Sequence, residues 1–302
     1  MQPETTRRTV GDQRFDRSVE DVGNVVALEH VNIRVPDQRL ATLFYITGLG
    51  LTRDPYLMTG VTNMWVNVGR SQFHLPSGAA QVLRGVTGLV IPGRKTMLER
   101  LASVREALAG TRFDFAEGDD HVATTCPWGN RLRIHEPSER FGSMRLGMPY
   151  VRLDSPPGTS AAIAAFYRDV LATPAHLTTF DGAPAAVASV GAGQSLVFRE
   201  TDAPQPAYDG HHIAVYLADF SGPWRRLTER GLVTEESDQH QYRFQDIVDL
   251  GTGTPLFTLE HEVRSMRHPL YARPQVNRNP AQSNRVFAPG HEDSPWSLPA
   301  DG

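Results

Sequence analysis

A single cysteine, Cys126, occurs in 302 residues. That excludes an internal disulfide and a cysteine-rich zinc cage, so any metal must sit on histidine and carboxylate. No stretch approaches the roughly 18 to 20 consecutive apolar residues of a membrane span. The opening MQPETTRRTVGDQRFDRSVED also lacks the apolar run of a signal peptide. A cytoplasmic protein with no membrane partner is the expectation. Nor does charge of one sign dominate: 30 Lys+Arg stand against 34 Asp+Glu, a net charge of -4. Such a balance offers no field to hold a phosphate backbone, so nucleic acid is not an expected partner. What is present is core material. Hydrophobic residues at 40% against 21% charged exclude wholesale disorder, and the length predicts about two domains at roughly 150 residues each.

Residues 1–26 read as a polar arm of mixed charge. From Ala27 the chain alternates: Val31, Ile33 and Val35 share one face of a half-buried strand, and His30, Asn32 and Arg34 share the other. A short amphipathic helix follows in RLATLFYITGLG, where Leu40, Leu43 and Phe44 fall at helical spacing. TNMWVNVG and SQFHLP then read as two strands joined by a Gly-Arg turn, with Phe73 and Leu75 in one phase and Gln72 and His74 in the other.

The same order of elements returns three times. GVTGLVI, KTMLERLASVREAL and the strands TRFDFAEG, DHVATTC and NRLRIHEP form a second unit. MPYVRLDS, SAAIAAFYRDVLATP, AAVASVG and QSLVFRET form a third, and HHIAVYLADF, WRRLTERGL, YRFQDIVDL and PLFTLEHEV a fourth. Phe44-Tyr45 with Leu49-Gly50 matches Phe166-Tyr167 with Leu171-Ala172, 122 positions later. This internal repetition is the strongest signal in the chain. The expected organisation is a first domain over 27–140 (units 27–78 and 83–138), a second over 145–264 (units 147–200 and 209–264), and an irregular tail rich in Pro, Asn and Arg over 265–302. In that tail Leu270, Tyr271, Val276 and Phe287 are expected to pack along the body, with the final HEDSPWSLPADG loose.

His-Val-x-Ile-x-Val at 30–35, Phe-Tyr-x3-Leu-Gly in the following helix and Cys-Pro-Trp-Gly-Asn-Arg-Leu-Arg at 126–133 resemble the vicinal oxygen chelate superfamily. That superfamily includes glyoxalase I, bleomycin and fosfomycin resistance proteins and extradiol dioxygenases. The resemblance spans roughly 240 residues and implies an α+β fold of four βαβββ units. Two curved mixed-sheet cups would have helices on the outside. Because one fold hosts many chemistries, it says less about reaction.

In the family pattern, metal ligands come from the first and last strands of each unit. The first unit holds His30 and His74 in those slots. The second holds Gly85 or Val86 and Arg133, and the third Tyr150 and Val197. The fourth holds His212 and Glu260, with Glu262 as the alternative carboxylate because Thr258, Glu260 and Glu262 share a phase. The ligand-capable residues thus fall in units one and four. That distribution predicts a crossed pairing, with His30, His74, His212 and Glu260 around one divalent ion: Fe, Zn, Mn, Ni or Co. His30, His212 and Glu260 alone would resemble the two-histidine, one-carboxylate face of extradiol dioxygenases. Four ligands would resemble glyoxalase I, where the metal acts as a Lewis acid.

The resemblance also suggests His240 and Tyr242 as catalytic groups that shuttle a proton. Asn32, Arg34 and Tyr216 share the cup-facing phase and are expected to orient a small-molecule substrate. Arg133 would line the metal-free cup, where it is structural or binds a carboxylate. His211 and His261 should point away from their ligand neighbours, and Cys126, in a turn without a base partner, is not an expected nucleophile. The competing expectation is a metal-free binding or resistance protein whose Trp65, Phe73, Tyr150 and Tyr216 stack on a ligand. With four units one chain completes its own cups, so a monomer is feasible and a homodimer stays open.

Overall fold

Period-two alternation gives every central strand one apolar and one polar face, and such strands must curve their apolar faces onto something. In the computed structural model, which describes residues 16–57 and 61–277, they curve onto helices. The first unit comprises β1 (Val25–Asn32), α1 (Gln38–Ala41), β2 (Thr52–Arg53), β3 (Asn63–Val68) and β4 (Ser71–Pro76). The second comprises β5 (Gly85–Val90), α2 (Arg94–Ser103), β6 (Asp114–Glu117), β7 (Val122–Thr125) and β8 (Arg131–His135). The third has β9 (Gly147–Ser155), α3 (Ser160–Asp169), β10 (Ala175–Phe180), β11 (Ala183–Ser189) and β12 (Ser195–Glu200). The fourth has β13 (His212–Leu217), α4 (Ser221–Thr228), β14 (Val233–Asp238), β15 (Gln241–Val248) and β16 (Pro255–Ser265).

Two eight-stranded mixed sheets result. One runs β14-β15-β16-β13-β1-β4-β3-β2 and joins units four and one; the other runs β10-β11-β12-β9-β5-β8-β7-β6 and joins units three and two. The crossing is antiparallel at both seams, β1 on β13 and β5 on β9, whereas first and last strands within each unit are parallel. Each sheet therefore draws one unit from each half of the sequence. Neither sheet closes into a barrel.

The first helix departs from the expected amphipathic α-helix. Asp37 caps α1 by accepting from Arg39 N at 2.7 Å and Leu40 N at 3.0 Å. The chain then widens into a π-helical stretch over Thr42–Gly48, closed by Leu49 N donating to Phe44 O at 2.9 Å. Consecutive Phe44 and Tyr45 are both fully buried there, as are their counterparts Phe166 and Tyr167 on the regular helix α3. Burying each such aromatic is worth on the order of 1.5 to 3 kcal/mol.

Three strands have no counterpart in the sequence pattern: β2, β10 and β14. β2 and β14 end one sheet and β10 ends the other, and β10 and β14 are largely exposed. Before β1, Arg17–Glu20 forms one 3-10 turn and the buried Asn24 donates to Leu171 O and Asp219 O. After β16, residues 266–277 are irregular, as expected. Residues 1–15 of the expected arm, and 278–302 of the tail with Phe287, lie outside the described residues. No helix among the described residues is long and apolar enough to cross a membrane.

Candidate functional site

The concave face of the one-four sheet is built by register. Across β4, β1, β13 and β16 one row reads Gln72, His30, Ala214, Glu262, and the next reads His74, Asn32, His212, Glu260. The intervening residues Val31, Ile213, His261 and Phe73 point to the helix side and are buried there. Because Ala214 is small, His30 and Glu262 on either side of it can meet above its methyl group. His212 approaches from the neighbouring row.

One ligand atom each from His30, His212 and Glu262 lies within 4.8 Å of the others. The rings of His30 and His212 have centroids 5.8 Å apart. Both residues are buried, and Nε2 of each makes no hydrogen bond among the described residues. His212 Nε2 stands 3.5 Å from Glu262 Oε2, and its Nδ1 3.4 Å from Glu260 Oε1. Burial pushes His212 below the usual imidazole range, so its ring is neutral at neutral pH and keeps a lone pair.

The expected carboxylate, Glu260, is engaged elsewhere: it pairs with Arg243 and is one quarter exposed. Glu262 is the carboxylate that faces both imidazoles, while its Oε2 accepts from Arg243 and its Oε1 forms an ion pair with Arg264. A carboxylate offers about four lone-pair sites, so two guanidiniums leave it capacity to bind a cation. Burial alone would raise the Glu262 carboxyl, but His212, His30 and the two arginines hold it well below the usual carboxylate range.

His74 is beside this trio rather than within it. Its ring lies 5.6 Å from that of His30, stacks on Trp65 at 3.8 Å, and holds Asn63 Oδ1 through Nε2 at 2.7 Å. Burial, then the neighbouring His30 and His212, lower it to about 2. It is a neutral side chain at the wall.

Glu29 was not singled out by sequence reasoning. The β1–β13 register shifts between Leu28 and His30, a bulge that turns Glu29 into the cup beside His30. Glu29 Oε2 lies 3.2 Å from His30 Nδ1 and also accepts from Arg264, and Oε1 accepts from Tyr216 Oη at 2.9 Å. Period-two reading assigns Glu29 to the opposite face, and no signal in one sequence marks the bulge.

The other expected residues separate. Asn32 is buried in the cup and its Oδ1 makes no hydrogen bond among the described residues. Tyr216 serves Glu29 and meets Tyr271, ring centroids 4.9 Å apart. Arg34 is exposed at the strand end, with its backbone N bonded to Gln81. His240 sits in the turn before β15, donating through its backbone N to Asp238. Tyr242 pairs in register with Val263 and is buried on the helix side against Phe220. Alternation thus carries Tyr242 away from the cup, and it is Arg243, the next residue, that enters. Phe73 likewise is core and offers no stacking surface to a ligand.

His211 and His261 point away as expected. His211 Nδ1 meets Asp209 at 2.6 Å, and His261 lies fully buried between Tyr167 Oη at 2.7 Å and Leu259 O at 2.7 Å. Cys126 is buried, and burial pushes its thiol up.

The tail straps one end of this cup. Asn67 donates to Val276 O at 2.7 Å, Asn277 clasps Gly69 through both N and O, and Arg273 binds the buried Asp54 at 2.6 Å. Leu270 and Tyr271 are half-buried along it, whereas Val276 is exposed by 37%.

The two-three cup holds no comparable trio at its expected slots. Arg133 and Arg152 both bind Asp181, at 2.9 Å and 2.6 Å, so Arg133 does hold a carboxylate, one supplied by the chain itself. Tyr150 leans over Gly88, where any Cβ would fall 2.4 Å from its ring, and joins Ala185 and Val197 in an apolar floor.

No family model matches the chain, and no curated protein matches it by sequence. Solved structures do match. A candidate dioxygenase from Bacillus subtilis subsp. subtilis strain 168 is 17% identical, with 80% of this chain and 86% of that one covered at a TM-score of 0.51. Glyoxalase I from Zea mays is 12% identical over 79% of this chain and 92% of its own, also at 0.51. A single-residue variant of the maize enzyme reaches 0.53 at the same identity and coverage. At such identities the likeness is one of fold: the chain has the fold shared by these glyoxalase and dioxygenase structures.

Proposed function

We propose that this chain, folded like glyoxalases and dioxygenases, is a metal-dependent enzyme acting on a small substrate with two neighbouring oxygens. His30, His212 and Glu262 would hold the divalent ion. The observation that carries this reading is the pair of buried imidazole Nε2 atoms, on His30 and His212, that lack a hydrogen bond beside the Glu262 carboxylate. Leaving buried polar atoms unpaired costs about 1 to 3 kcal/mol each, a cost a cation would remove. Charge agrees: the three carboxylates of Glu29, Glu260 and Glu262 outnumber the two guanidiniums, Arg243 and Arg264, that pair with them.

When bound, an ion on two imidazoles and one carboxylate keeps open positions that can polarise adjacent substrate oxygens. The chain does the rest. Glu29 fixes the His30 ring through Nδ1, leaving Nε2 to face the cup. Asn32 Oδ1 accepts a hydrogen bond from a substrate hydroxyl, and the neutral His74 ring, stacked on Trp65, forms the adjoining wall. The strap blocks the Asp54–Asn67 end, so substrate enters past Asn32 and His74. A three-residue ligand set with His74 occupied by Asn63 favours the dioxygenase-like branch over the glyoxalase-like one.

Metal analysis of the purified protein tests this. One equivalent held by this cup is expected, and His30→Ala and His212→Ala should each lose it. Iron would select oxygen-dependent cleavage, and Zn, Ni, Co or Mn a redox-neutral reaction. A metal-free preparation that none of the five ions reconstitutes would leave the metal-free binding protein, a reading for which the two arginines on Glu262 speak.

A further inference from the structure

The chain carries a second group of imidazoles and carboxylate, outside the one-four cup. We propose that Asp120, His121 and His135 form a second divalent-cation site, suited to Zn2+, Ni2+ or Co2+, on the rim of the two-three cup.

The site is built by cross-strand register. Val122 pairs with Ile134 in the antiparallel β7–β8 ladder, so His121 and His135 are the next facing residues beyond it. Their ring centroids are 5.4 Å apart, and one ligand atom each from Asp120, His121 and His135 lies within 4.8 Å of the other two. These positions are not the strand slots of the family pattern, where β8 instead places Arg133.

The geometry is fixed before any cation arrives. His135 is 3% exposed, held between Phe141, 5.1 Å from ring to ring, and Tyr150 Oη, 3.0 Å from its Nε2. That second contact sets the ring orientation, as outer partners do for metal-bound imidazoles. Its Nδ1 faces Asp120 O at 3.3 Å, a long contact that a cation can replace. The turn carrying Asp120 is tied by Gly118 N to His121 O at 2.9 Å and by the Arg94 guanidinium on the carbonyls of Gly118 and Asp119. Asp120 Oδ1 meets His121 Nδ1 at 2.5 Å. Arg140 opposes a cation here: its exposed side chain lies 3.8 Å from Asp120 Oδ2, with the guanidinium over the Phe141 ring.

Two nitrogens and one carboxylate oxygen match borderline transition ions rather than Ca2+ or Mg2+. A bound ion would clip the β6–β7 turn to the end of β8 and, through Tyr150, to the floor of the two-three cup.

Titration of the whole chain with Co2+, read by visible absorption and stoichiometry, tests the site. The wild type should bind two equivalents if the one-four cup is also a metal site, and one if it is not. His121→Ala, a half-buried change remote from the core, should remove one equivalent or weaken it at least tenfold, and Asp120→Asn should weaken it less. His30→Ala with His212→Ala should leave this second equivalent intact. Stoichiometry and affinity unaffected by His121→Ala in a folded protein, confirmed by an unchanged thermal transition without metal, would overturn the proposal. Because the two sites are removed by different substitutions, their failures are separable.

Discussion

Glu29 and His30 are consecutive residues whose side chains enter the same concave face and meet there, Oε2 to Nδ1, at 3.2 Å. On a regular strand neighbours point to opposite faces, and here the bulge brings them together. The carboxylate then decides which imidazole nitrogen carries the proton. Glu29→Gln should weaken metal binding by roughly 10- to 100-fold, the usual effect of removing a ligand's carboxylate partner. Calorimetric titration with Zn2+ measures it. An unchanged affinity would reduce Glu29 to a structural partner of Arg264.

The two candidate carboxylates should separate cleanly. Arg243 pairs with both, but Glu262 faces both imidazoles whereas Glu260 meets His212 alone. Glu262→Gln is expected to lower metal retention after dialysis by at least about 100-fold, equivalent to roughly 2.7 kcal/mol. Glu260→Gln should stay within about tenfold of the parent. The reverse order would restore Glu260 as the ligand.

Much of this was legible in the chain before its structure. Ligand-capable residues concentrate in units one and four, and the topology pairs those units. Alternation correctly put His30, Asn32 and His212 in the cup and His211 and His261 outside it. What escaped has physical causes. β10 and β14 lie at sheet edges with mostly exposed side chains, so no apolar period marks them. Glu29 enters through a bulge, which period-two reading cannot register. That Glu262 faces both imidazoles depends on Ala214 being small between His30 and Glu262 across three strands, a relation between residues 30, 214 and 262 that needs the register.

Two tyrosines provide a control on side-chain direction. Tyr167 Oη holds His261 Nε2 at 2.7 Å in the core. Tyr167→Phe should cost about 1 to 3 kcal/mol by leaving a buried nitrogen unpaired, read as a shift in urea midpoint with metal binding unchanged. Tyr242 Oη makes no hydrogen bond among the described residues. Tyr242→Phe should therefore change stability by less than about 1 kcal/mol and leave turnover untouched. A large loss of turnover would return Tyr242 to the reaction.

The strap should respond to acid. Burial alone would raise the Asp54 carboxyl, but Arg273 and the backbone N–H groups of Leu57 and Tyr56 outweigh it and hold the group below 3.8. Its contribution is thus complete above pH 3.8 and is lost as pH falls through the lower folded value. Hydrogen exchange at residues 274–277 should accelerate across that acidic window. Asp54→Asn should produce the same loosening at neutral pH, weakening the attachment by about 1.5 to 3 kcal/mol. Equal exchange in the two proteins at neutral pH would show that Asn277 and Gly69 suffice to anchor the segment.

The crossed seams also govern how the molecule is made. β1 cannot acquire its neighbour β13 until translation has passed His212, on the order of ten seconds or more after Asn32 at ordinary elongation rates. Meanwhile β5 and β9 can already zip together, so the inner sheet matures first and the outer one is sewn around it. A ribosome stalled early in the fourth unit would leave β1 paired to β4 but with its β13 side an open edge, a template for aggregation or for swapping with another nascent copy.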